Sequence, residues 1–408
     1  MTFLLLNQTF HPDRVATAQY LTDAAQALMA QGHSVTVVTS ARGYDDPSAE
    51  FEARETWSGI DIHRIRPFAF GKSSRWRRAL DFTSYLVLSV LKLARMPRFD
   101  VVIALTSPPL ISVLGAVVSR LRRSRFVFWV MDLNPDEAIA AGWLKAESVT
   151  ARLLAWLLSF SFRRADQIVA LDRFMADIIA EKGIDRRRIA VLPPWCHDAI
   201  RFDRRGRDAF RKARGWDGKF VVMYAGNHSP CNPLDTVIEA AKSLQGDAEI
   251  EFCFVGGGSV YRAIQRDVAP RLPNLVCLPY VPREELSAAL SAADLHVVTL
   301  GDAFRGLIHP SKLYNVLKVA APVLYVGPEP SHVTDVARAT GLATWRCAHG
   351  DVANVIEAIR AARATTSGHS RTGADDRAMP FAANCLLPRF IELVAESGGS
   401  SVPIFEQA

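Results

Sequence analysis

Gly306-Leu-Ile-His-Pro-Ser-Lys-Leu-Tyr-Asn-Val-Leu-Lys-Val-Ala-Ala-Pro-Val-Leu-Tyr-Val-Gly327 reads as a loop, a helix, a turn and a buried strand. Pro310 and Ser311 mark the helix start, with Ser311 in the N-cap place. Leu313, Val316, Leu317 and Ala320 fall on one helical face. Pro322 has no amide hydrogen to give and ends the helix, and residues 323–326 form the short apolar run of a parallel strand. Free amides at a helix start, beside the charge of Lys312, suit a phosphate. An ordinary αβ unit with a surface lysine has the same local sequence, so the neighbouring stretches must choose between the two.

Upstream the same rhythm repeats. Strand-like runs at 220–224, 250–255, 275–278 and 295–299 each lead into a Gly-rich or polar loop: Ala225-Gly-Asn-His-Ser-Pro, Gly256-Gly-Gly-Ser259, Tyr280-Val-Pro282 and the opening stretch. Backbone amides in such loops can approach a phosphate or sugar closely. The N-terminal half shows strands at 3–7, 34–39, 60–65, 101–105, 126–131, 167–171 and 189–192, with helices between most of them. The first strand, helix and second strand make a βαβ unit, which implies a parallel sheet with right-handed crossovers. Ligands of such sheets bind at the carboxyl ends of the strands. Asp132 follows the apolar strand 126–131 directly, which points it at that edge; a turn or capping role fits the same position. No GxGxxG follows the first strand, so the dinucleotide fingerprint is absent.

A chain of 408 residues is too long for one ordinary core. The Pro193-Pro-Trp-Cys-His-Asp198 punctuation divides it into residues 1–198, residues 199–378, and a C-terminal helix and tail over 379–408. Residues 364–378 read as a polar surface loop. The six cysteines form no CxxC pair, which suits reduced thiols in a core and argues against zinc. Residues 1–7 lack a basic flank and a cleavage site and read as a strand, and no run is long enough to span a bilayer.

Net charge is +6 and the pI about 9.1, which favours an anionic partner. The basic residues flank apolar helices: Arg75, Arg77, Arg78, Lys92 and Arg95 around 82–93, with Trp76 at the entrance, then Arg120–Arg125, and Arg152, Arg163 and Arg164 around 149–162. That arrangement fits interfacial helices on an anionic membrane, or core helices with solvated basic ends. It lacks the interleaved aromatics of a nucleic-acid module, so no nucleic acid is expected.

In order and spacing, several motifs resemble the glycosyltransferases of family 4, in particular the branch that builds surface polysaccharides such as colanic acid. They are Gly32-His-Ser-Val, Ser107-Pro-Pro-Leu110, the 126–136 strand and turn, Asp166-Gln-Ile-Val-Ala170, Tyr224-Ala-Gly-Asn227, Val255-Gly-Gly-Gly258 and Pro310-Ser-Lys-Leu-Tyr314 with Pro322-Val323. The resemblance implies an α/β GT-B fold of two doubly wound, Rossmann-like domains facing a central cleft. It implies a retaining hexosyl transfer from a nucleotide sugar to a glycan or lipid-linked acceptor, at the cytoplasmic face of the plasma membrane. No metal and no cofactor are expected. By the resemblance Gly256, Gly257 and Val281 line the base and ribose, Asn227, Ser311 and Lys312 meet the diphosphate, Pro310 and Asn315 also belong to the substrate site, and Asp132 serves the acceptor hydroxyl. Departures are visible too. Leu307 and Asn315 hold the places of two usual glutamates, Val15-Ala-Thr17 replaces a glycine-rich loop, Ala320 replaces a glycine, and the basic residue usual after the first C-domain strand is missing. An asparagine still hydrogen-bonds a ribose diol. The same donor site also fits a sugar-nucleotide epimerase, and the missing carboxylates fit a non-catalytic, donor-binding partner of another transferase.

Overall fold

The computed structural model describes residues 1–13, 15–44, 49–68, 75–366 and 378–396, with the side chains of 75–79 and 366 left out. The predicted loop from 367 onward, the tail beyond 396 and the Arg75–Arg78 side chains therefore lie outside the described residues. Contacts divide the chain into two units, one of Met1–Pro193 with the chain from Leu386, the other Pro194–Cys385.

The first unit holds β1 (Thr2–Leu6), β2 (Ser34–Ser40), β3 (Arg54–Trp57), β4 (Ile60–Ile65), β5 (Val101–Ala104), β6 (Arg125–Trp129), β7 (Gln167–Ala170) and β8 (Ile189–Val191). They form one sheet in the order β3-β4-β2-β1-β5-β6-β7-β8, parallel except for the β3 edge. Order reverses at β1, the topological switch point of a doubly wound sheet. Between the strands run α1 (Ala16–Ala30), α2 (Arg75–Ala94), α3 (Ile111–Arg122), α4 (Asp136–Ala140), α5 (Val149–Arg164) and α6 (Arg173–Glu181). Beyond Thr2 and Arg125 at their starts, the central strands β1, β5 and β6 are apolar and buried, as parallel strands covered on both faces must be. Gly115 lets α3 sit down on the sheet, because a Cβ there would meet the Phe126 ring at 2.7 Å.

The chain returns to this unit at its end. In helix Ala383–Ala395, Phe390 packs on Trp129 with ring centroids 4.4 Å apart. Arg125 donates to the carbonyls of Leu393 and Val394 at 3.0 and 3.1 Å, meeting acceptors that the helix end leaves open. The sequence reading set this helix apart with the tail; these contacts pull it onto the first unit, and the contact boundary falls at Pro193 rather than after Asp198.

The second unit begins with α7 (Arg204–Lys212), whose Arg211 is buried against Asp294 at 2.8 Å. Its sheet runs β11-β10-β9-β12-β13-β14, all parallel. The strands are β9 (Phe220–Asn227), β10 (Ile250–Gly257), β11 (Leu275–Leu278), β12 (Leu295–Thr299), β13 (Val323–Val326) and β14 (Thr344–Cys347). Its helices include α8 (Asp235–Ser243), α9 (Ser259–Ala263), α10 (Leu286–Ser291), α11 (Lys312–Lys318), α12 (His332–Thr340) and α13 (Val352–Thr366). The last of these carries residues 364–366, expected as loop, on as helix.

Candidate functional site

In the second unit the carboxyl ends of β9 and β10 lie in register, Gly226 beside Gly256 and Asn227 beside Gly257. Gly226 and Gly256 have φ of +132° and +135°, where a side chain is strained. At Gly256 a Cβ would also collide with the Gly226 carbonyl, so the two strand ends approach as bare backbone. Lys312, at the start of α11, reaches back over β9. Its stem passes 3.5 Å from where a Gly226 Cβ would stand, and its Nζ lies 3.6 Å from the centroid of the Tyr224 ring and donates to the Tyr224 hydroxyl. Tyr224 in turn donates to the Asn227 carbonyl at 2.9 Å.

Desolvation draws the Lys312 pKa down to about 7, and among the described residues no carboxylate pairs with it. A cation over an aromatic face gains some attraction, but that does not replace a counter-ion. His228 is fully buried beside it. Its Nδ1–H donates to the Gly226 carbonyl at 2.9 Å, and burial, then the Lys312 charge, hold its pKa near 4. The ring is therefore neutral, and its Nε2 lone pair has no partner among the described residues. Asn315, on α11 with Lys312, likewise has an Oδ1 without a partner among the described residues. The corner thus offers an uncompensated cation, two open acceptors and bare backbone at two strand ends.

The first unit presents a different constellation. Asp132 follows β6, and Glu137 opens α4 by donating its amide to the Leu133 carbonyl at 2.8 Å. Asn134 Nδ2 donates to Glu137 Oε2 at 3.0 Å. Burial, then the Glu137 charge, raises the Asp132 pKa to about 7. A carboxyl group half-ionised at neutral pH can take or give a proton. The strand order β1-β5-β6 sets neighbouring loop starts beside it, and Gln8 N donates to the Ser107 carbonyl at 2.6 Å, tying the loops after β1 and β5 together.

Residues 16–195 match the glycosyl transferase 4-like domain family. The chain carries a glycosyl transferase 4-like domain. It is 28% identical over 291 residues to a probable glycosyltransferase, WbjE, of Pseudomonas aeruginosa, covering 70% of this chain and 72% of that protein. It is 27% identical over 335 residues to a putative colanic acid biosynthesis glycosyl transferase, WcaI, of Escherichia coli, covering 78% and 81%. Among solved structures, Anabaena Alr3699/HepE in complex with UDP-glucose superposes with a TM-score of 0.68 at 15% identity, over 97% of this chain and 99% of that one. Each unit of the enzyme has the doubly wound form of a GT-B transferase, with parallel sheets.

Of the residues expected at the donor, the structure brings Asn227, Gly256, Gly257 and Lys312 to one corner, with Asn315 one turn further along α11. One expectation needs correction. Ser311 is not a side-chain N-cap: its φ of −66° and ψ of −15° are already helical, and its hydroxyl accepts no amide there. Pro310 is buried just before it. Val281 packs on the core cluster around Met223 and Val255, while its neighbour Tyr280 lies exposed against Gly257. A Gly257 Cβ would meet that ring at 2.8 Å. Leu307, in the place of one usual glutamate, is nearly buried. Sequence reading passed over Tyr224, His228, Tyr280 and Glu137. A hydroxyl-bearing ring closing the otherwise apolar run 220–224 was the one available signal for Tyr224.

Proposed function

We propose that the enzyme transfers a sugar, with retention and without a metal, from a nucleotide-sugar donor to a lipid-linked glycan in surface-polysaccharide synthesis, working as a peripheral protein at the inner face of the plasma membrane. The observation that carries the donor half is Lys312: a desolvated cation without a carboxylate, above backbone freed of side chains. A diphosphate supplies the missing charge and meets the amides at the ends of β9 and β10. On this reading Lys312 and Asn227 take the diphosphate, with Ser311 at the entry to α11. Asn315 Oδ1 accepts from a ribose hydroxyl, and Tyr280 stacks the base against Gly257. As the glycosidic bond to the donor breaks, Lys312 stabilises the departing nucleoside diphosphate, and Asp132 orients or deprotonates the acceptor hydroxyl. The relatives' names support the surface-polysaccharide setting, and the UDP-glucose held by the Anabaena structure supports a nucleotide-sugar donor.

The test is a panel of nucleotide sugars, scored for binding by calorimetry and for slow hydrolysis by release of free nucleotide. Binding and hydrolysis of one donor support the transferase. Release of isomerised nucleotide sugar without acceptor replaces it with an epimerase. Binding without any turnover on addition of lipid-linked acceptor makes the chain a donor-binding partner.

A further inference from the structure

The outer faces of α2, α3 and α5 carry apolar side chains that nothing among the described residues covers. These helices follow β4, β5 and β6 in turn, and α3 packs against both α2 and α5. Right-handed crossovers that all move the same way along a sheet place their helices on one side of it. The Ser112 hydroxyl donates to Ser161 at 3.0 Å and locks α3 to α5 along their inner faces.

On α5 the buried residues are Ala151, Leu158, Ser161 and Phe162, while Val149, Leu153 and Trp156 face out. Helical residues advance about 100° each, so 149, 153, 156 and 160 trace a single stripe opposite the buried one. Leu121 on α3 is exposed as well, as are Val87 and Leu91 on α2. Val149 and Leu121 are each 75% exposed and Trp156 is 60% exposed, far beyond the scattered partial exposure of an ordinary surface.

On α3 and α5 the charges of this face have one sign. Helices α3 and α5 contain Arg120, Arg122, Arg152, Arg163 and Arg164 and no Asp or Glu. Arg122 is committed to the Ala94 carbonyl at 3.0 Å, and Arg125 of the same basic run to the C-terminal helix. Arg163 and Arg164 are exposed, and among the described residues no carboxylate pairs with either. A shallow pocket is lined by Trp156, Phe160, Arg163 and Arg164. The Arg164 guanidinium stands 5.6 Å from the Phe160 ring centroid, and the Trp156 ring lies 6.4 Å from it.

We infer that this outer face of α3 and α5 seats on an anionic bilayer, with Trp156 entering the headgroup layer and Arg163 and Arg164 holding a lipid phosphate. The inference deepens the proposed reading that the transferase works at a bilayer, and it moves the seat from the entrance of α2, where the sequence pointed, to α5. Guanidiniums flanking an apolar stripe match a surface whose phosphates lie above hydrocarbon. A second copy of the chain fits poorly, because a two-fold interface on this face would set arginines against arginines.

The test is co-sedimentation of the full chain with phosphatidylglycerol vesicles and with phosphatidylcholine vesicles, at low and high salt. Each basic residue at an anionic leaflet is worth roughly a fivefold change in partition. Arg163→Glu with Arg164→Glu is expected to lower binding to the anionic vesicles at least about tenfold, and Trp156→Ser to weaken it further. All three positions are exposed, so nucleotide-sugar affinity should stay unchanged and reports that the fold is intact. Anionic-vesicle binding that is absent, equal on neutral vesicles, or unmoved by these variants overturns the inference; so does a salt-sensitive complex with acidic proteins but not with vesicles. Vesicle binding of the expected kind by a chain that binds no nucleotide sugar leaves the seat standing and removes the proposed function instead.

Discussion

Asp132 in the first unit and Lys312 in the second arrive at nearly the same pKa, about 7, from opposite directions. Desolvation is the leading cause in both, because burial penalises whichever form is charged. What differs is the company. Asp132 has another carboxylate, Glu137, whose charge adds to the shift. Lys312 has a phenol, a neutral imidazole and backbone, and desolvation acts on it alone. A fold that wanted only stability would have paired the lysine with an acid and spared the aspartate its neighbour. The first group keeps a proton and the second lacks an anion, and on the proposed function each deficit serves a different half of the transfer.

The sharpest way to break this comparison is Asp132→Asn. With the proton-accepting group gone, turnover is expected to fall by about 10²- to 10⁴-fold, while nucleotide-sugar affinity holds, since Asp132 and the donor corner belong to different units. Stability should move the other way. The folded pKa lies above the unfolded value, so the ionised carboxylate costs stability above about pH 7, and the cost vanishes below about pH 4, where both states are protonated. Thermal melts should therefore show the variant more stable at pH 8 by on the order of 1–3 kcal/mol, and no more stable at pH 4. A variant with full turnover, or one destabilised at pH 8, makes Asp132 structural.

Lys312→Ala tests the other half. Losing one charge-assisted phosphate contact is worth ~1.5–3 kcal/mol, or about 10- to 150-fold in donor affinity. Calorimetry that finds the affinity unchanged for every nucleotide sugar that binds removes the phosphate assignment. A smaller effect concerns pH. In the free protein the ammonium is half deprotonated near pH 7, and a bound diphosphate would hold that proton on. Wild-type affinity should be level below about pH 7 and weaken above it by up to about tenfold per unit, whereas Lys312→Met should show a level profile throughout. A wild-type affinity that is constant between about pH 6 and about pH 9 would show that Lys312 does not meet the donor's charge.

The two halves were not equally legible. Alternation of apolar runs with Gly-rich loops located nearly every strand, because a parallel strand buried on both faces leaves little choice of residue: β13 is Val323-Leu-Tyr-Val326, and all four are fully buried. Lys312 and Asp132 were legible as charges at strand or helix ends. What surrounds them was not. Tyr224 lies 88 positions from Lys312, and no local pattern joins them. Tyr280 rather than Val281 meets Gly257 because of which way each side chain leaves the chain after β11, a matter of backbone direction and not of composition. The basic residues misled in part: Arg122 and Arg125 fit a solvated run by sequence, and both are tied to carbonyls at helix ends.

Glu137 supplies the finest test, because it separates the two causes of the Asp132 shift. Burial comes first and Glu137 second, so removing the Glu137 charge should lower the Asp132 pKa without returning it to an ordinary value. Glu137→Gln removes that charge and keeps the shape of the side chain. The Gln carbonyl can still accept from Asn134 Nδ2, and the amide at position 137 still donates to the Leu133 carbonyl. If ionised Asp132 serves the acceptor hydroxyl, turnover rises with pH through its pKa, and the variant should move that rise to lower pH by less than the whole distance to about pH 4. At pH 6 the variant is then faster than wild type, and at pH 8, where Asp132 is ionised in both, the two rates agree within about twofold. A rise that stays in place leaves burial as the sole cause of the shift and strips Glu137 of any part in the reaction. A rise displaced to higher pH would mean that the group titrating in turnover is not Asp132.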